Sequence, residues 1–200
     1  MKKLWAWIKS IFHKQPVQPE PTPEPTPIPP APTPIPMPGK VPLVVCKESS
    51  WFNDFDKQVL KDAVAGLNHI FSTKQFQTEL MSRTYTEDFG EGGAGIWKRM
   101  VAGDQLSPED DLGELDFKIV MYNSPWSRVV GYTYLESIVI NVNRKFFATP
   151  SSVASNIAHE LMHTLGYTHD DGFDDSVPYQ MNEIIDVLWE QLNLGQKKGL

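Results

Sequence analysis

The chain has 200 residues and 17 prolines, and 13 of those prolines lie between Pro16 and Pro42. Setting aside that stretch and the segment before it leaves 43–200, enough for one hydrophobic core and too little for two catalytic domains. This body carries 13 Lys/Arg against 23 Asp/Glu, which excludes an ordinary nucleic-acid binder, since neutralising phosphates needs clustered cations. The single cysteine, Cys46, excludes an internal disulfide framework and a cysteine-based metal ribbon.

Residues 1–15 carry Lys2, Lys3, Lys9 and Lys14 and no acid. At helical spacing Leu4, Trp5, Ile8, Ile11 and Phe12 share a face, with Lys2, Lys3, Lys9 and His13 towards the other. A basic amphipathic helix of this kind suits an anionic membrane surface. A partner-docking helix or an inert leader are the alternatives. The apolar run Leu4–Ile8 ends at Lys9, short of the roughly 7–15 residues of a signal-peptide core, and no small-residue cleavage site follows. No stretch reaches the roughly 18 apolar residues of a membrane span. A cytoplasmic or peripheral-membrane location is therefore expected over secretion. Residues 16–42 are low-complexity and read as a disordered, polyproline II linker. Such a linker is expected to hold an acidic body away from a surface that repels it.

Within 43–200, Val41–Val45 leads in as a first strand. Asn53 or Asp54 caps a helix over 54–71, with Phe55, Val59, Leu60, Ala63, Leu67 and Ile70 as its apolar face. Residues 75–85 fit helix or strand equally. The run Gly90–Gly95 reads as a flexible loop, and it lacks the Lys-Ser/Thr pair that a phosphate cradle needs. A short helix at 96–102 follows, then strands at 117–122, 129–135 and 138–142. Pro150 and Ser151 open a helix to about 165, and 181–193 forms a last amphipathic helix. This order predicts an α+β domain with a mixed, twisted sheet.

The chemistry concentrates in HELMHTLGYTHD, residues 159–170. His159 and His163 are four apart, so a helix stacks their imidazoles on one face, at a spacing that suits two zinc ligands. Glu160 sits beside them without needing to bind, placed to take a proton from an attacking water. Gly166 can adopt positive φ, end the helix and turn the chain so that His169 returns as a third ligand. Three protein ligands leave a fourth position open, the mark of a catalytic rather than a structural zinc. Asp170 either orients His169 as a hydrogen-bond acceptor or begins an acidic loop, Asp170–Asp175, that offers oxygens to calcium or simply to solvent. His69 reads as a packed or surface histidine.

HELMHTLGYTH matches the extended zinc motif H-E-x-x-H-x-x-G-x-x-H at every defined position. In these dozen residues the chain resembles the metzincin zinc metallopeptidases. The resemblance implies a metzincin-like catalytic domain with an active-site zinc helix and a C-terminal helix. It implies Zn2+ on His159, His163 and His169, with Glu160 as general base and acid. It also implies a tight turn carrying a methionine beneath the zinc, for which Met181 is the candidate. Tyr179 is a candidate oxyanion or metal contact, or else a packing residue. An extended peptide or protein substrate is expected to pair with the edge strand, 129–135, and the enzyme to act as a monomer. The competing reading is a zinc-stabilised binding module without turnover, tethered by its N-terminal segment. The Glu160 carboxylate, for which such a module has no evident need, argues against that reading.

Overall fold

A computed structural model of the chain describes residues 39–86, 89–110, 112–169, 175–192 and 194. The expectations for 1–15, for most of 16–42, for Asp170 and for nearly all of the Asp170–Asp175 loop fall outside these residues.

The architecture is α+β. Strands β1 (Val44–Ser50), β2 (Leu115–Tyr122), β3 (Gly131–Thr133) and β4 (Val139–Asn143) form one mixed sheet in the order β1-β2-β4-β3. β1, β2 and β4 run parallel, and β3 closes one edge antiparallel to β4. Helices α1 (Asp54–Phe71), α2 (Lys74–Ser82) and α3 (Gly92–Ala102) lie between β1 and β2 in the chain, and α4 (Pro150–Thr164) and α5 (Val177–Gln191) follow the sheet. Among the described residues no helix is long and apolar enough to cross a membrane.

Local rules account for most of these bounds. At α1 the Asn53 side chain accepts from the Asp56 amide at 2.8 Å while the Asp56 carboxylate accepts from the Asn53 amide at 3.0 Å, a reciprocal capping box. Its apolar stripe is buried from Val59 to Phe71, but Phe55, expected on that face, is 65% exposed. The ambiguous 75–85 stretch resolves as helix α2, because the Thr73 hydroxyl accepts from the Phe76 amide at 3.1 Å and caps it. Helix α4 has Thr149 as its cap and Pro150 in its first turn.

Four expectations need correction. Strand β1 starts at Val44 and runs on through Lys47, a residue that breaks apolar alternation. It is tolerated because its Nζ lies 3.0 Å from Asp110, 3.2 Å from buried Asp116 and 3.4 Å from Glu114. Burial pushes the Asp116 carboxyl up, and the Lys47 ammonium pulls it back. The glycine run is no loop beyond Gly92: α3 begins there. A side-chain carbon at Gly93 would overlap the Leu80 carbonyl, so the missing side chain permits close approach of α3 to α2. The expected 129–135 strand shrinks to Gly131–Thr133. The last helix starts at Val177, four residues early, since Pro178 in a first turn opens a helix rather than ending one.

The core lies where α1, α4 and α5 meet one another and the sheet. Gly66 of α1 faces Trp189 of α5 so closely that a methyl group there would overlap the indole ring. Gly66→Ala should therefore destabilise the fold by about 1–3 kcal/mol, the usual cost of overpacking. Urea denaturation would show this as a lower midpoint with an unchanged slope.

Candidate metal centre

Helix α4 is buried on most of its surface. Ten of its 15 residues are buried, His159 and Glu160 among them. It ends in a Schellman turn: the Gly166 amide donates to the His163 carbonyl at 3.0 Å and the Tyr167 amide to the Met162 carbonyl at 3.1 Å. Gly166 has φ +94°, a conformation that favours glycine, as its position in the sequence predicts. The chain then doubles back, and His169 returns to the face that carries His159 and His163.

The three histidines each offer a ring nitrogen to one point, and these nitrogens all lie within 4.8 Å of one another. Nε2 of His159 and Nε2 of His169 are 3.2 Å apart. Imidazole nitrogens that share a tetrahedral ion at about 2.0–2.1 Å stand about 3.3–3.4 Å apart, so this spacing fits a common metal. Nδ1 of His163 meets the Tyr167 carbonyl at 2.8 Å. Donation there puts the proton on Nδ1 and leaves Nε2 with a free lone pair, the tautomer a ligand needs. Nδ1 of His159 and Nδ1 of His169 are buried without a well-formed hydrogen bond, though the Pro178 carbonyl acts on the first. With protons on those nitrogens, the facing Nε2 lone pairs repel unless a cation lies between them.

Electrostatics favour the same state. Burial, then repulsion from His163 and His169, pushes His159 down to about 3. Burial also lowers His163. Neutral imidazoles are the form that binds a cation. The site can thus hold a metal ion on His159, His163 and His169.

Glu160 points from the next position of α4 and is 3% exposed. Burial pushes its carboxyl up to about 7, against the opposing pull of the Thr133 backbone and the Asn156 side chain. A cleft of about 440 Å³ opens over the cluster. The histidines and Glu160 face it; Arg128–Thr133 form one wall, and Tyr179 and Asn182 the other. The short edge strand β3, all that forms of the expected 129–135 strand, thus lies along the cleft.

Tyr179 is drawn to the cluster, its ring 4.5 Å from His169 and 5.0 Å from His159, between centroids. Met181 is fully buried, but it lies inside α5 and not in a turn of its own. The proline-started helix has absorbed the segment in which a turn was expected. His69 sits in the last turn of α1 and takes no part in the cluster.

Several supporting residues carry no signal in the sequence. Buried Gln105 donates to the Asp116 carbonyl at 2.8 Å and to the Thr164 hydroxyl at 2.7 Å, and accepts from the Asp116 amide at 2.8 Å. The Leu106 amide donates to the Thr164 carbonyl at 2.8 Å, and its side chain packs on Gly166. Arg99 pairs with both oxygens of Glu91 at 3.0 Å and lies over the Tyr167 ring. The turn that returns His169 is thereby braced by β2, α3 and the segment joining them.

No family model, curated protein or solved structure matches the chain.

Gly166→Ala forces a side chain into positive φ and should cost about 1–2 kcal/mol. It should also weaken divalent-metal binding, because His169 depends on that turn. Thermal melts with and without metal check both effects: the metal-induced rise in Tm should shrink as well as the baseline Tm.

Proposed function

We propose that the chain is a zinc-dependent endopeptidase of metzincin type. The observation that carries this reading is the convergence of three imidazoles and a buried carboxylate on a cleft bordered by an edge strand. All four residues stand at the defined positions of HELMHTLGYTH. Three nitrogen ligands and a neighbouring carboxylate that does not bind are the donor set of a catalytic zinc. Zinc held there supplies Lewis acidity at the scissile carbonyl and makes a water acidic near neutral pH.

The chain's own residues do the rest. His163, with its proton committed to the Tyr167 carbonyl, and His159 and His169 hold the ion. The β3 backbone lies along the cleft, where an extended peptide can add as a further strand. The Glu160 carboxylate takes a proton from the attacking water as the new C–O bond forms at the peptide carbon. As the C–N bond breaks, Glu160 hands that proton to the leaving amine. Its buried setting suits the uptake step, because desolvation makes the bare carboxylate costly and so favours its taking a proton.

Two outcomes test the reading. Stripped protein should take up about one zinc per chain with a rise in Tm, and His163→Ala should bind far more weakly by calorimetry. Zinc binding by that variant equal to wild type would refute the ligand set. Glu160→Gln keeps shape and should keep zinc, yet lower cleavage of a peptide library by about 10²–10⁴-fold. Undiminished cleavage would refute the role of Glu160. Zinc uptake without any cleavage by the wild type would make the chain a binding module.

A further inference from the structure

Because β1, β2 and β4 are parallel, their C-terminal ends leave the sheet along one rim. Trp51–Lys57 follows β1, residues 123–130 follow β2, and Arg144–Phe147 follows β4. These segments are tied together. Arg144 donates to the Trp51 carbonyl at 2.8 Å and to the Asp56 carboxylate at 3.0 Å. Asn143 donates to the Ser124 carbonyl at 3.0 Å, and Phe52 meets Phe147 edge-on at 5.1 Å.

The rim exposes large aromatics that the core does not use: Trp126 is 94%, Trp51 79% and Phe55 65% exposed. Trp51 also sits at φ +72°, a strained conformation for a bulky residue. The fold therefore bears a cost to present an indole that it does not bury. The same segments carry Lys57, Arg128, Arg144 and Lys145, against only Asp54 and Asp56. Asp56 is paired with Arg144 at 3.0 Å, and Asp54 lies 3.8 Å from Lys57. An acidic body thus has one cationic rim.

We propose that this rim docks on an anionic lipid surface. Trp51 and Trp126, with Phe55, Val129 and Val130 also exposed on the same segments, suit a headgroup layer, where an indole enters the acyl boundary and its N–H stays wet. Guanidinium and ammonium groups beside them meet lipid phosphates, and the charge is complementary. The charge beside the rings is what favours lipid phosphates over a protein partner, whose interfaces also gather tryptophan and arginine. Net charge alone predicts that the body is repelled by such a surface; its distribution reverses that sign at the rim. The inference stands whether or not the cleft hydrolyses peptides.

The test is sedimentation of the full chain with vesicles of phosphatidylglycerol and phosphatidylcholine in equal parts, at low and high salt. Two paired variants are compared with wild type: Trp51→Asn with Trp126→Ser, and Arg128→Glu with Lys145→Glu. Asparagine tolerates the positive φ, and all four side chains are exposed, so folding, checked by circular dichroism, should survive. Each pair should lower partitioning at least about tenfold at low salt, at roughly fivefold per lysine or arginine near the surface. The charge effect should fade at high salt and the tryptophan effect should persist. Partitioning of both variants equal to wild type would overturn the proposal. That result would assign any vesicle binding to residues 1–15 and the exposed tryptophans to a protein partner. Failure of the wild type to bind would overturn it equally.

Discussion

The structure depends on one conflict and its resolution: helix α4 is buried on most of its surface, yet it carries two histidines and a glutamate. It packs against α1, α5 and the edge strand β3 at once. Ile157, Leu161 and Leu165 go fully into the core, which fixes the rotation of the helix about its own axis. That rotation aims His159, Glu160 and His163 into the cleft, and the hydrogen bond between His163 Nδ1 and the Tyr167 carbonyl holds the second imidazole there. Burial of these polar side chains is costly, and it is also what lowers His159 and His163 towards the neutral form and pushes the Glu160 carboxyl up to about 7.

What the sequence makes legible follows from range. The spacing of His159 and His163, the positive φ at Gly166 and the return of His169 are set within a dozen residues, so local rules suffice. Capping at Asn53 and Thr149 is equally local. Gln105 and Thr164 are 59 residues apart, and a hydrogen bond between them leaves no periodic trace. The glycines at the start of α3 read as a flexible loop from sequence, and only the position of Leu80 shows that Gly93 serves close approach instead. Phe55 fits the apolar period of α1 and is nevertheless exposed, while its polar neighbour Asp56 is buried. Lys47 inside a strand is intelligible only once Asp110, Glu114 and Asp116 are seen around it.

Charge teaches a related lesson. The excess of Asp and Glu over 43–200 describes long-range behaviour and solubility, not any one face. Topology places three segment ends on a common rim, and Arg128, Arg144 and Lys145, scattered in sequence, collect there. A parallel sheet does this as a matter of geometry, since strands that run the same way release their loops on the same side.

The fit of Gly66 against Trp189 has a further meaning for how the protein is made. Translation delivers α1 early and α5 late, and the contact between them spans most of the described chain. Pairing of β1 with β2 also waits for residues far downstream, a long-range topology of the kind that folds slowly. Until α5 emerges, α4 has an uncovered apolar side, and Tyr179 is not yet present beside His169. A ribosome-bound chain therefore already holds every histidine of the cluster before it holds the scaffold that keeps them in place. The scaffold around the cluster is complete only once α5 has emerged, and until then the apolar side of α4 is the kind of exposed surface that invites aggregation.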